Sequence, residues 1–338
     1  MSKNKKQQSL HSAKSAANDE FYTQLKDIEL EMYHYRNYFK GKHVFLNCDD
    51  PEYSNFYRYF NLNFEFLGLK QLTATHYDEN KPTYRIDIYP DTKEKVQVYE
   101  NGLTNTGNKI ELLKGEITPL KENGDFRSNE AIDILKESDV VVTNPPFSLF
   151  REYIAQLFEY NKDFIVIGNM NAITYKEIFP LIKNNELWLG VTRSGTGSMW
   201  FIVPNDAPYK KGQKIENGIK YQTIGNSAWF TNVEHEKRHE KLILTETYEG
   251  NEENYPKYDN YNGIEVGKVK NIPLDYEGAM GVPITFLGKY NPDQFELIKF
   301  RKGDDEKDLT VNGKAPYFRI LIKNKLPEKP IRFSNIIE

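Results

Sequence analysis

The spacing of apolar and polar residues changes period several times along this chain, and each change marks an element. Residues 24–39 place Leu25, Ile28, Leu30, Met32 and Tyr35 at roughly helical spacing behind early acids, which predicts a helix. His43-Val44-Phe45-Leu46-Asn47-Cys48 is a short apolar run of the kind a buried strand shows. An aromatic-rich helix over Glu52–Asn61 and a strand over Gln71–Tyr77 are predicted next. Residues 83–100 alternate in period two (Tyr84, Ile86, Ile88, then Val96, Val98) on both sides of Pro90-Asp91-Thr92-Lys93, the pattern of a hairpin insertion. A short amphipathic helix through Ala131, Ile132, Ile134 and Leu135 then leads to Asp139-Val140-Val141-Val142-Thr143. Three consecutive valines fit a strand buried on both faces, and Pro145 ends it because it has no N–H for a ladder, so Asn144 stands at the carboxyl end.

Ser148 is expected to cap the following helix, whose positions Leu149, Phe150, Tyr153, Ile154, Leu157 and Phe158 form one stripe. Asp163–Gly168 reads as another buried strand, followed by a second amphipathic helix to Lys183 and strands at Glu186–Val191 and Ser198–Val203. Strands alternating with helices predict an α/β fold whose sheet is mostly parallel.

Composition narrows the setting. A chain of 338 residues is long enough for one large core or two smaller ones. It holds no apolar run long enough to span a membrane, and the basic start (Lys3, Lys5, Lys6) has no apolar stretch behind it, so no signal peptide is expected. Residues 1–17 are polar, small and basic, the composition of a disordered tail. The single cysteine, Cys48, permits no internal disulfide and points to a reducing, cytoplasmic setting; it reads as a small core residue. A formal net charge of −4 means that attraction to a nucleic acid would have to come from a local patch.

The chemistry concentrates at Asn144-Pro145-Pro146-Phe147. Open α/β sheets hold ligands at the carboxyl ends of their strands. A rigid Pro-Pro pair aims the Asn144 amide and nearby carbonyls at one small volume, where both accept from a planar –NH2 while Phe147 stacks on the ring carrying it. The tetrapeptide resembles the catalytic element of methyltransferases that move a methyl group from S-adenosylmethionine to an amino nitrogen. That resemblance implies further contacts along the chain. Phe21-Tyr22-Thr23 before the first helix is similar to the element with which many adenine methyltransferases hold the methionine end of the cofactor. The turn after the first strand lacks the glycines usual there, and either Asp49 or Asp50 accepts from the methionine ammonium with Asn47 nearby, or the two acids cap the helix that begins near Glu52. Asp78, after the second strand, is either a ribose ligand or an exposed turn carboxylate. His76 has no ligand spacing and reads as structural. Asp125-Phe126 resembles the pair in which a carboxylate accepts from the adenine amino group and an aromatic lies on the purine, and Arg193 stands where such enzymes pack residues around the target base.

Six segments together resemble the EcoRI-type adenine-specific DNA methylase family: Asn-Asp-Glu-Phe-Tyr-Thr (18–23), Asn-Cys-Asp-Asp-Pro (47–51), Gly-Asp-Phe (124–126), Thr-Asn-Pro-Pro-Phe (143–147), Ile-Gly-Asn-Met-Asn-Ala-Ile (167–173) and Gly-Val-Pro-Ile-Thr-Phe-Leu (281–287). The resemblance implies a Rossmann-like, mixed seven-stranded catalytic domain at 18–204 and a DNA target-recognition region at 205–338. It implies methylation of the exocyclic nitrogen of an adenine flipped out of duplex DNA, with S-adenosyl-L-methionine as cofactor. No metal is required, since the leaving group is a neutral thioether. A monomer is expected, in a restriction-modification system whose endonuclease forms no stable complex with it, or as a phage or orphan methylase. Lys314, Arg319, Lys323, Lys325 and Lys329, set against the single acid Glu328, are either phosphate contacts or a solvated basic tail. An RNA adenine methyltransferase, a protein glutamine methyltransferase and a non-catalytic relative are the alternatives. A large, partly basic C-terminal region argues against the second, and the intact Asn144 and Phe147 argue against the third.

Overall fold

A computed structural model describes residues 22–77, 82–101, 105–192, 199–204, 207–208, 211–223 and 225–328. The expected disordered tail at 1–17 lies outside them, as do Phe21, Asp78, Arg193 and Lys329. The chain divides into two compact units, one of residues 1–172 and 197–233, the other of 173–196 and 234–338. The first unit runs past residue 204. Residues 227–231 stay with the first unit because they add an antiparallel strand to its sheet.

In the first unit, α1 (Leu25–Met32) runs into a 3-10 turn at Tyr33–Tyr35, so the expected helix ends earlier than its periodicity suggests. Strands β1 (His43–Leu46), β2 (Gln71–His76), β3 (Tyr84–Ile88), β6 (Glu116–Pro119), β7 (Val140–Thr143), β8 (Asp163–Asn169) and β13 (Ser227–Thr231) belong to a large mixed sheet, in the order β6-β3-β2-β1-β7-β8-β13. β2, β1, β7 and β8 are mutually parallel, and β3, β6 and β13 run antiparallel to their neighbours. The parallel strands are the apolar runs: every residue of β1 and of β7 is buried. From β1 the chain goes first to β2 on one side and later to β7 on the other. That reversal opens the crevice in which such sheets hold ligands.

Helix α2 (Asn55–Leu62) is capped by Ser54, whose hydroxyl accepts from the Phe56 and Tyr57 amides at 3.0 and 3.4 Å. The reading of Asp49 and Asp50 as its caps is thereby corrected, because the helix starts three residues later than expected and a hydroxyl sits at its cap. α3 (Phe64–Leu67) ends in Gly68 at φ +62, the left-handed conformation that favours glycine.

The hairpin insertion is also corrected. β3 pairs with β2 and β6 inside the main sheet, and the hairpin proper is β4 (Lys95–Asn101) with β5 (Thr106–Leu113). Asn61 clamps α2 to it, donating to the Leu113 carbonyl at 3.0 Å and accepting from the Leu113 amide at 2.8 Å.

α4 (Asn129–Glu137) is capped by Ser128. α5 (Phe150–Glu159) follows a 3-10 turn at Phe147–Leu149 and has no side-chain cap, so Ser148 is not its cap. Its buried stripe is Phe150, Tyr153, Ile154 and Leu157. β10 (Trp200–Ile202) forms a small antiparallel sheet with β12 (Ile219–Thr223) and β11 (Gln213–Glu216).

The second unit holds α6 (Phe179–Lys183) and the two-residue strand β9 (Trp188–Leu189), each shorter than its apolar pattern suggests. It also holds a sheet of β14 (Gly263–Glu265), β15 (Ala279–Pro283), β17 (Arg319–Asn324) and β16 (Phe295–Phe300), paired in that order. Gly281 on β15 has no side chain because Tyr258 fills its place: an added Cβ would meet the Tyr258 hydroxyl at 1.8 Å. Among the described residues, no helix is long and apolar enough to cross a membrane.

Candidate active site

Three strand ends and the start of one helix build the site in the first unit. Beyond β1 lie Asn47, Asp49 and Asp50. Asp49 is buried and accepts from Ser54 Oγ at 2.8 Å, from Thr143 Oγ1 and from the Asn144 amide at 3.2 Å. The turn after β1 is thus tied directly to the Asn144 corner. Burial pushes the Asp49 carboxyl up to about 6, against the opposing pull of the Thr143, Ser54 and Asn144 hydrogen bonds. Two carboxylate oxygens offer about four acceptor positions, so one remains beyond these donors.

Asp50 takes a separate course. It accepts from the Glu52 amide at 2.9 Å and pairs with His76 Nδ1 at 2.7 Å, and burial raises its carboxyl. His76, at the end of β2, also stacks on Tyr84 with ring centroids 4.9 Å apart.

Asn47 is 3% exposed, and its side-chain oxygen accepts from the Tyr153 hydroxyl of α5, while its Nδ2 has no partner among the described residues. Thr23 is 4% exposed and its hydroxyl likewise has no partner among the described residues, although its carbonyl accepts from Asn55 Nδ2 at 2.8 Å. Tyr22 pairs with Ile202 through two backbone hydrogen bonds of 2.9 and 2.8 Å, and its ring meets Tyr53 edge-on. Buried polar atoms without partners are costly, and two of them on residues already singled out for the methionine end of a cofactor fit a ligand that supplies the missing partners.

Asp125 and Phe126 stand before α4. Gly124 precedes them at φ +76, where a Cβ would meet the His76 carbonyl at 2.6 Å. Burial pushes the Asp125 carboxyl up, but hydrogen bonds from Arg127, at 2.8 Å to Oδ1 and 2.7 Å to Oδ2, outweigh it and hold the group below the usual range. It is therefore an ionised acceptor at neutral pH. Phe126 is buried, with its ring edge-on to Tyr153 at 5.0 Å and the Arg127 guanidinium 5.2 Å from its centroid. Tyr153 touches both Asn47 and Phe126, which brings the turn after β1 and the segment before α4 to one place.

Pro145 is buried, Asn144 and Pro146 are half-buried, and Phe147 opens the 3-10 turn with its ring edge-on to Phe201 of β10 at 6.2 Å. Sequence reasoning missed Ser54, Thr143, Tyr153, Arg127 and Phe201. Each is an ordinary polar or apolar residue in its own segment and acquires a role only through a distant partner.

In the second unit, Arg319 is 8% exposed. Its Nε and Nη2 donate to Glu265 Oε1 at 2.7 and 2.6 Å, and the Tyr258 hydroxyl donates to Oε2. This corrects its reading as a phosphate contact: an arginine on an inward position of β17 needs a counter-charge, and Glu265 supplies it. Lys314 and Lys323 are exposed, and exposed Lys325 donates to the Pro292 carbonyl at 2.7 Å.

A mixed α/β sheet with an Asn-Pro-Pro-Phe corner at a strand's carboxyl end, flanked by buried acids and unsatisfied polar groups, is the architecture of a methyltransferase. The family model described as adenine-specific methyltransferase EcoRI matches residues 9–325, and the chain belongs to that family. It is 53% identical to the Type II methyltransferase M.EcoRI of Escherichia coli, over 97% of this chain and 100% of the relative. It is 38% identical to the Type II methyltransferase M.MpnI of Mycoplasma pneumoniae, over 93% of this chain and 97% of the relative. No solved structure gives a significant match.

Proposed function

We infer that the protein is a site-specific DNA methyltransferase that methylates the exocyclic nitrogen of an adenine flipped out of the duplex, as the modification enzyme of a restriction-modification system. The observation that carries this reading is the Asn144-Pro145-Pro146-Phe147 corner, tied through Asp49 to the turn after β1 in a chain of this family. When bound, S-adenosyl-L-methionine supplies an electrophilic methyl group on a sulfonium. Asn144 and the Pro145 carbonyl hold the amino hydrogens of the base and raise electron density on its nitrogen. Phe147 stacks on the flipped ring, with Pro146 fixing the angle between the two. Asp125 accepts from the cofactor's adenine amino group and Phe126 lies on the purine. Asn47 Nδ2 and Thr23 take the amino-acid end with Tyr22 beside them, and Asp49 offers its remaining acceptor position to the ammonium. Lys314, Lys323 and Lys325 of the second unit contact phosphates.

Long-read sequencing of DNA from cells expressing the protein tests this reading. Modified adenine should appear in one recurring sequence context and vanish with Asn144→Ala. Unmodified DNA, or modification that persists in the variant, contradicts it.

A further inference from the structure

The stripe on α5 that packs against the sheet contains one residue whose polar end has work to do. Tyr153 is fully buried, and its hydroxyl donates to Asn47 Oδ1. An asparagine amide has an accepting end and a donating end of nearly the same shape, and what it offers a ligand depends on which end is held. A phenol hydroxyl can hold either end. Here the Oη–H turns toward Asn47 Oδ1, and Asn47 Nδ2 is left as a donor, buried and without a hydrogen-bond partner among the described residues. Such a donor calls for an acceptor on the ligand.

We propose that Tyr153 is a positioning residue of the cofactor pocket: its hydroxyl locks the Asn47 amide so that Nδ2 presents its hydrogens to the carboxylate of the cofactor's amino-acid end. This rests on the reading of Asn47 as a cofactor contact. The Tyr153 ring has a second, separable task, since it meets Phe126 edge-on at 5.0 Å on the side proposed for the purine. The hydroxyl therefore serves one end of the ligand and the ring the other.

Calorimetry on the full chain separates the two with S-adenosylhomocysteine, which carries the amino-acid end, and 5′-methylthioadenosine, which lacks it. Tyr153→Phe should weaken S-adenosylhomocysteine by about tenfold, as loss of one hydrogen bond to a charged group does, and leave 5′-methylthioadenosine unchanged. Tyr153→Leu should weaken both. Asn47→Ala should match Tyr153→Phe against S-adenosylhomocysteine, and the double variant should lose no more than Asn47→Ala alone. Equal weakening of both ligands by Tyr153→Phe, or no weakening of either, overturns the proposal, as do losses that add in the double variant. If Asn47→Ala itself leaves S-adenosylhomocysteine affinity intact, the placement of the amino-acid end fails; if Asn47→Ala weakens it and Tyr153→Phe does not, only the role of Tyr153 fails. Retained 5′-methylthioadenosine binding shows in the same titrations that the variants are folded.

Discussion

Asp49 holds together two parts of the site that are far apart in sequence, and it does so as an anion inside the protein. Its value of about 6 lies above that of about 4 for a free aspartate, so the folded state binds the proton more tightly than the unfolded chain does. The stability this group contributes is fully present below about pH 4 and is lost as pH rises through about 6. Asp49→Asn removes the titration. In denaturant melts, wild type should gain on the variant by on the order of 2–3 kcal/mol as pH falls from 7 to 4; a constant difference across that range would show that Asp49 does not titrate there. Activity should run the opposite way. Only the carboxylate accepts from Ser54, Thr143 and the Asn144 amide together, so the site is built with an ionised Asp49 and is more stable without the charge.

At the level of elements, Ser54 shows how one residue joins local and tertiary structure. Its oxygen accepts from the first turn of α2 while its hydrogen goes to Asp49, so Ser54→Ala removes a helix cap and a buried carboxylate's donor at once. The expected cost in a denaturation curve is about 1–2 kcal/mol for the cap, with less for Ser54→Thr, which keeps the hydroxyl; equal losses in the two would argue against the cap. The elements legible from sequence are those whose burial is written into a continuous apolar run: β1, β7 and β8 fall within a residue or two of their expected limits. Period-two alternation does not distinguish a strand of the main sheet from a strand of a hairpin, so the pattern joins β3 to β4 where the structure joins them to β2 and β5. Of the site, the corner at Asn144 is legible because prolines and an aromatic fix its chemistry locally. Thr143 is not, because its partner Asp49 is 94 residues away and nothing in the Thr143 segment indicates it. Arg319 misleads for a related reason: among nearby lysines it looks like surface charge, and its acid, Glu265, is 54 residues distant.

Across the whole molecule, the residues proposed for chemistry lie in the first unit and the basic stretch proposed for phosphates lies in the second. Replacing Lys314, Lys323 and Lys325 by alanine should weaken DNA binding, leave cofactor binding unchanged, and flatten the dependence of affinity on salt by up to about 0.9 log units for each phosphate that is no longer neutralised. An unchanged slope would mean that these lysines only face solvent. Everything proposed for the first unit depends on methyl transfer taking place at the Asn144 corner. Single-turnover methylation with labelled S-adenosyl-L-methionine, run beside DNA- and cofactor-binding titrations, tests that step itself. Asn144→Ala should slow methyl transfer by on the order of a hundredfold or more, as loss of an aligned transition-state partner does, while both ligands still bind. Transfer at the wild-type rate in Asn144→Ala would contradict the assignment of this corner as the catalytic site.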